Sequence, residues 1–213
     1  MLSAVCAIIA GLLMVGASGW MCYRIRTRQD PPLPITTWII FSLVVQAVAL
    51  AAVLQTGLWQ WGNAQTVVDS VSVVCVLGFM LRTKHYRFGM TKLELWTNMA
   101  CIAMAGVAMV YWYLTSDHHH ANLALQGVMV VSYVPLWCEL ATAKTNPYRY
   151  GFWFALMTLS IISFYPAYRI LVEKDESAQL WYSVRATAST VSVLLLMWRL
   201  DRKERRRNEQ RNH

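Results

Sequence analysis

Apolar residues in this chain are gathered into seven long stretches, separated by short polar connections. A helix that crosses the hydrocarbon core of a bilayer needs about 20 consecutive apolar residues, and each stretch approaches this length. The pattern therefore predicts an all-α integral membrane protein with seven transmembrane helices, numbered here span 1 to span 7. The predicted spans are residues 3–23, 36–56, 65–82, 95–115, 122–142, 151–171 and 179–198.

The composition supports a membrane protein and argues against catalysis. Of the 213 residues, 57% are hydrophobic and 14% are charged, whereas soluble domains carry about 25% charged residues. Asp69 is the one well-embedded acid and no histidine is embedded, so the paired carboxylates or Ser-His arrangement of an intramembrane enzyme are missing. We expect no enzymatic activity, no cofactor and no metal ion.

The basic residues indicate an orientation. The net charge is +8, and 16 of the 19 lysines and arginines fall on one side of the predicted bundle. Because cytoplasmic loops carry the excess of positive charge, the N-terminus is expected outside and the C-terminus in the cytoplasm of a plasma or bacterial inner membrane. The basic tail is expected to contact anionic lipid headgroups and no nucleic acid, and homo-oligomerisation is left open. Its basic residues are Arg199, Arg202, Lys203, Arg205, Arg206, Arg207 and Arg211.

Two blocks of sequence recur in the same order. Thr27, Pro32 and Trp38 match Thr142, Pro147 and Trp153 at an offset of 115 residues, and residues 72–82 match 189–199 at an offset of 117. Spans 1–3 thus correspond to spans 5–7, and span 4 is an unmatched linker. The predicted division is 1–92 for the first three-helix unit and its connection, 93–116 for the linker helix, 117–200 for the second unit and 201–213 for the basic cytoplasmic tail.

This plan of three helices, a linker helix and three helices resembles the SWEET sugar transporters, the wider PQ-loop superfamily and the SWEET-like nicotinamide riboside transporters of bacteria. The resemblance implies alternating access through a pocket between two rocking units, with prolines as hinges. Pro135 in Val134-Pro135-Leu136 and Pro166 in span 6 are the expected hinges, and the matching positions of the first unit carry no proline. The pocket asparagines of the sugar transporters are absent from spans 3 and 7.

Two charges interrupt the apolar spans at nearly the same depth. Asp69 lies in span 3 and Arg185 in span 7, each about 20 Å along its helix from the repeat-matched Arg82 or Arg199. An isolated charge inside the membrane costs about 2.5–3.5 kcal/mol on insertion scales, so we expect the two to face each other as an outer gate or to bind a polar, zwitterionic substrate. The alternative is that both side chains snorkel to the outer headgroups.

Small polar residues surround these charges at helical spacing, namely Thr66 and Ser70 in span 3 and Ser183 and Thr187 in span 7. Their hydroxyls are candidates for hydrogen bonding to a substrate, and the alternative is that they permit close helix packing in lipid. Trp61 and Trp181 begin spans 3 and 7 and are candidates for stacking on a ring of the substrate. The His118–His120 cluster with Asp117 is expected to be a solvated loop.

Together these features predict a membrane transporter that moves a small polar solute, sugar-like, nucleoside- or vitamin-like or zwitterionic, by alternating access. Facilitated diffusion is the first mechanism, because no chain of titratable groups crosses the spans, and proton coupling through Asp69 is the second. The alternative function is a non-transporting membrane scaffold or accessory protein that recruits lipid or a partner through its basic tail.

Overall fold

Seven helical segments of the chain are long and apolar enough to cross a membrane, which makes this a multi-pass membrane protein. The computed structural model describes residues 1–29, 32–57 and 60–211. Its helices are α1 (Leu2–Arg26), α2 (Ile35–Thr56), α3 (Ala64–Thr83), α4 (Lys92–Thr115), α5 (His118–Ser132), α6 (Val134–Thr142), α7 (Tyr150–Lys174) and α8 (Ala178–Arg211). A single 3₁₀ turn, Trp61–Asn63, leads into α3, and two-residue strands β1 (Leu33–Pro34) and β2 (Tyr86–Arg87) pair in parallel.

The helices account for the seven predicted spans with two differences at particular residues. Span 5 is divided into α5 and α6 at Tyr133, which keeps α-helical dihedral angles, so the division is a local interruption of the hydrogen bonding. Pro135 has no backbone N–H and cannot donate the helical hydrogen bond to the carbonyl of Val131. Span 7 does not end near residue 198, because α8 continues to Arg211. The whole helix, from Ala178 to Arg211, is about 50 Å long. The expected basic tail is therefore a helical extension of span 7 over its described part, to residue 211.

Local capping explains several of the helix ends. Thr91 accepts a hydrogen bond from the backbone N–H of Glu94, and Glu94 accepts one from the N–H of Thr91, which forms a capping box at the start of α4. Asp117 accepts from the N–H of His120 and starts α5. The histidine cluster is thus the first turn of a helix, and the expected solvated loop at this place is wrong.

Large apolar side chains cover the outside of the bundle. Leu12, Leu43, Val107 and Leu195 are each more than half exposed, and they lie on four different helices. A contiguous apolar exterior of this kind would be costly in water and is suited to lipid. The fold therefore buries its polar side chains inward, which is the reverse of a soluble helical protein.

Six spans form a closed ring and span 4 lies outside it. In the first half of the chain, span 3 packs between spans 1 and 2, and in the second half span 7 packs between spans 5 and 6. The halves meet where span 1 packs on span 6 and where span 2 packs on span 5. Span 4 packs against spans 5 and 2 from the outside. The ring order 1, 3, 2, 5, 7, 6 leaves a central space between the halves.

The two ends of the bundle differ in their connections. We call the end at which span 1 begins the N-terminal face, and the end at which α8 finishes the C-terminal face. Pairing of β1 with β2 joins the connections that follow spans 1 and 3 on the C-terminal face. On the N-terminal face the connections are short, and Gly57 ends span 2 with φ of 98°, a backbone conformation that favours glycine.

Candidate functional site

A cavity of about 280 Å³ lies at the centre of the six-span ring. It is lined by residues of both halves, and its most buried polar members, each at most 3% exposed, are Gln65, Ser160, Tyr182 and Thr190. Toward the C-terminal face its lining includes Glu139 and Arg149, which are exposed to solvent. The cavity therefore opens at the C-terminal face and ends inside the bundle toward the N-terminal face.

Asp69 and Arg185 both line this cavity, so the structure brings the two intramembrane charges to one site. They do not form a direct ion pair. The hydroxyl of Tyr182 donates to Asp69 Oδ2 over 2.5 Å, and the guanidinium carbon of Arg185 lies 4.6 Å from the centre of the Tyr182 ring. Tyr182 therefore contacts both charges and links a carboxylate of the first half to an arginine of the second. Both residues thus lie on the sides of their helices that face the interior of the ring.

Two polar atoms of this group are buried without a hydrogen-bond partner among the described residues, namely Asp69 Oδ1 and Arg185 Nε. Most buried polar atoms in folded proteins have a partner, and a buried group that loses one costs about 1–3 kcal/mol. Other buried atoms of the described residues, such as Gln55 Oε1 and Gln179 Nε2, also lack a partner, but Asp69 and Arg185 are the residues among them that line the cavity, so unused hydrogen-bonding capacity is available at this site. This is what a binding site for a polar ligand requires.

Several of the predicted hydroxyl residues hold helices together and do not line the cavity. Ser70 donates to Gln46 Oε1 over 2.6 Å, which joins spans 2 and 3. Thr66 donates to Gln179 Oε1 over 2.9 Å, and Ser183 donates to Gln65 Oε1 over 3.2 Å. These contacts fit the packing alternative for Thr66, Ser70 and Ser183.

The remaining predicted site residues occupy different positions. Thr187 has a buried hydroxyl that lacks a hydrogen-bond partner among the described residues, and it is not part of the cavity lining. Trp61 is 51% exposed and Trp181 is 54% exposed, and both lie outside the lining. Pro135 lines the cavity beside the break in span 5, while Pro166 is buried within α7.

Hydrogen bonds between the two halves close the bundle between the cavity and the N-terminal face. Gln65 donates to Ser160 Oγ over 3.3 Å, Lys174 Nζ donates to the carbonyl of Thr56 over 2.6 Å, and Gln55 donates to Glu176. Together with the Thr66 and Ser183 contacts, these bonds form what we call the N-terminal-face lock. Its members are Gln55, Thr56, Gln65, Thr66, Ser160, Lys174, Glu176, Gln179 and Ser183.

Glu176 makes three hydrogen bonds at the N-terminal face. Besides Gln55, its carboxylate accepts from Nδ1 of His119 over 2.5 Å and from the backbone N–H of Ala178 over 3.0 Å. The other two histidines of the cluster have partners of their own, since His118 Nδ1 accepts from Trp112 over 2.6 Å and His120 bonds Asp117. Hydrogen bonds from the backbone and ring of His120 lower the pKa of the Asp117 carboxyl, which lies outside the spans.

Aromatic side chains line the cavity from both halves. In span 2, Trp38 and Phe41 contact edge to face with ring centres 6.2 Å apart, and in span 6 Phe152 and Trp153 do the same at 5.4 Å. Tyr133, at the break in span 5, adds a third aromatic surface. No pocket role was predicted for these residues from the sequence, although the matched pair Trp38 and Trp153 was a signal that both occupy corresponding positions.

Comparison with known proteins found no family model, no curated protein and no solved structure that matches this chain. The functional interpretation therefore depends on the arrangement of the cavity, the charged cluster and the lock.

Proposed function

We propose that this protein is a membrane transporter that moves a small polar solute by alternating access. The observation that carries the proposal is the central cavity, which opens at the C-terminal face and is closed by inter-half hydrogen bonds at the N-terminal face. A cavity closed at one end by breakable contacts between two halves of a bundle is the arrangement that alternating access requires.

An internal repeat is supported by two features of the bundle. First, the order of helices within spans 1–3 is the same as within spans 5–7, and the contact of span 1 with span 6 corresponds to that of span 5 with span 2. Second, cavity-lining positions correspond at the sequence offsets. At 115 residues Thr37, Trp38, Phe41 and Val45 match Phe152, Trp153, Leu156 and Ser160, and at 117 residues Gln65, Asp69 and Val73 match Tyr182, Ala186 and Thr190.

Such a repeat gives the bundle two similar rocking units around one site, as the resemblance to SWEET and PQ-loop transporters implies. The two arrangements of the bundle would be related by opening the N-terminal-face lock and closing the C-terminal face. Pro135 at the break in span 5 and Pro166 within span 6 are the proposed hinges, because proline removes a helical hydrogen bond and eases bending. The first half has no counterpart of either proline.

The orientation and mechanism follow from the charges. The basic connections favour a cytoplasmic C-terminal face in the cell membrane, and with this orientation the cavity would open toward the inside of the cell. Asp69 is the one acidic side chain in the deep part of the cavity, which favours facilitated diffusion over a proton relay. Proton coupling through Asp69 is tested by whether uptake responds to an imposed pH gradient.

Reconstitution tests the proposed function directly. The purified full chain is placed in proteoliposomes and screened for uptake and thermal stabilisation by sugars, nucleosides, vitamins and amino acids. Leu156→Trp fills the cavity, whereas Leu195→Trp adds the same bulk at a position that is 58% exposed on the outside of span 7. We expect at least one solute class to be transported by the parent and by Leu195→Trp but not by Leu156→Trp.

Two results would contradict the proposal. One is that no solute class crosses the bilayer or stabilises a protein that circular dichroism shows to be helical. The other is that Leu156→Trp transports as well as the parent, since solute would then pass by a route other than the cavity.

A further inference from the structure

Six charged residues of the described chain line the cavity. Arg24, Glu94, Glu139 and Arg149 lie toward the C-terminal face, whereas Asp69 and Arg185 lie in its inner part, and this inner pair limits the class of solute that can bind there. Both charges lie within the spans, where water is scarce and every charge needs a counterpart. A ligand that occupies the site must match the charges it meets, because an unmatched charge would remain desolvated. The site is neutral overall, which favours a ligand that is also neutral overall but carries both signs.

Arg185 supplies the binding group for an anion. Its guanidinium makes no hydrogen bond and no ion pair with any residue that the structure describes, and it lies over the face of the Tyr182 ring. Arginine binds carboxylates through two parallel N–H groups, so an unpaired guanidinium in a cavity is suited to a carboxylate. A cation or a neutral sugar would leave this capacity unused.

Asp69 supplies the binding group for a cation. Only Oδ2 has a partner, the Tyr182 hydroxyl, and Oδ1 has no hydrogen-bond partner within residues 1–29, 32–57 and 60–211. A carboxylate can accept several hydrogen bonds, so an ammonium group could occupy the unused oxygen after a small movement of the side chain. The same carboxylate disfavours a simple anion at the neighbouring guanidinium, because like charges repel strongly where water is scarce.

The rest of the lining is apolar and aromatic. The edge-to-face pairs Trp38 with Phe41 and Phe152 with Trp153 approach from opposite halves, and Tyr133 lies near the charged cluster. Aromatic rings pack well against a flat apolar group by stacked or edge-to-face contacts. The volume of 280 Å³ lies at the small end of ligand pockets, which suits a compact solute with a single ring.

We propose that the cavity binds a compact aromatic zwitterion, with a carboxylate on Arg185, an ammonium group at Asp69 and a ring between the aromatic walls. This proposal specifies the class of solute for the same cavity, and it rests on the proposed transport function. Binding itself is measurable without transport.

The test is isothermal titration of the full chain in lipid nanodiscs with five related probes. Phenylalanine has the ring and both charges, phenethylamine lacks the carboxylate, 3-phenylpropionate lacks the ammonium group, alanine lacks the ring, and uridine is a neutral polar solute with a ring. We expect phenylalanine to bind at least tenfold more tightly than each of the other four.

Two variants test which charged group of the ligand each residue binds. Arg185→Gln is expected to weaken phenylalanine binding at least tenfold and to strengthen phenethylamine binding, because the repulsion between the guanidinium and the ammonium group is lost. Asp69→Asn is expected to weaken phenylalanine binding and to strengthen 3-phenylpropionate binding, because the carboxylate no longer repels the anion. The matched control is Arg169→Gln, because Arg169 is exposed, pairs with Glu173 on the same helix and does not line the cavity. The control is expected to bind all probes as the parent does, and melting temperatures confirm folding.

Different results separate the two proposals. If uridine binds more tightly than phenylalanine, or if phenylalanine and phenethylamine bind equally, the zwitterion assignment is wrong while transport of another solute stands. If Arg185→Gln binds phenylalanine as tightly as the parent, the assignment is equally wrong. If no probe binds and no solute class of the uptake screen is transported, the proposed function itself fails.

Discussion

Replacing Glu176 by alanine should open the N-terminal face. The Glu176 carboxylate is the group in the lock that joins the connection after span 6 to Gln55 of span 2, and its side chain is 14% exposed. A hydrogen bond to a charged group contributes about 1.5–3 kcal/mol, and this one spans the two halves. Its loss should therefore shift the balance between closed and open N-terminal faces by about 10- to 100-fold, since 1.4 kcal/mol is tenfold.

The assay is the reaction of a cavity thiol with a reagent that cannot cross the bilayer. Ser132 lines the cavity and is close to cysteine in size, so Ser132→Cys places one thiol there once the five native cysteines are replaced. In oriented proteoliposomes, Glu176→Ala should raise the rate of modification from the N-terminal face by about 10- to 100-fold. The rate from the C-terminal face should fall or stay the same.

Glu173→Ala is the matched control for this experiment. Glu173 also lies near the end of span 6, but it is half exposed and pairs with Arg169 of its own helix, so it does not join the two halves. Exposed pairs of this kind contribute at most about 1 kcal/mol. Equal rates from the N-terminal face for Glu176→Ala and Glu173→Ala, in proteins with unchanged helical content, would refute the reasoning.

Three further predictions concern the site, the packing of the halves and the tail. Tyr182→Phe removes the hydroxyl that bonds Asp69 and should lower the free energy of unfolding, measured by denaturant titration in detergent, by about 1.5–3 kcal/mol. Tyr165 is 39% exposed, so Tyr165→Phe should change this free energy by less than about 0.5 kcal/mol, and equal losses for the two variants would contradict the prediction. Gly62→Ala places a Cβ within 2.9 Å of the Pro166 carbonyl oxygen and should lower the free energy of unfolding by about 1–3 kcal/mol. The added Cβ of Gly78→Ala meets nothing within 4 Å and should not destabilise the protein, so equal losses of stability would contradict the close packing at Gly62. Deleting residues 202–213 should leave solute uptake intact, whereas a scaffold that acts through its tail would lose its partner and show no uptake before or after deletion.

The seven spans could be predicted because membrane helices must satisfy their backbone groups internally and present apolar side chains to lipid. This constraint leaves a strong signal in sequence, and each predicted span corresponds to a helical segment of the structure. The break at Tyr133 was not predicted, because Pro135 was interpreted only as a hinge and its effect on helix continuity depends on its position within span 5. The extension of α8 was not predicted because its last residues are too polar to register as a span.

The two charges could be identified as candidate site residues from the sequence, because a charge inside a membrane costs free energy and is rare without a functional role. Their arrangement could not be predicted, because nothing in the sequence distinguishes Tyr182, which lies between them, from the other aromatic residues of the apolar helices. Trp38 and Trp153 were identified in the sequence only as a matched pair of the repeat, because tryptophan is common at both membrane surfaces and does not by itself indicate a pocket. Which tryptophans face a cavity depends on how the six spans close into a ring, and a single sequence does not contain this information.

The central claim is that one cavity is reached alternately from the two faces. Thr66 Oγ1 and Gln179 Oε1 are 2.9 Å apart across the halves, so Thr66→Cys with Gln179→Cys places two thiols within reach of a short bifunctional thiol reagent that fixes the N-terminal face closed. The decisive measurement is the modification of Ser132→Cys from each face before and after this cross-link, read by mass spectrometry of the peptide that contains residue 132. The account predicts modification from both faces before cross-linking and from the C-terminal face alone afterwards; an unchanged rate from the N-terminal face in fully cross-linked protein would contradict it.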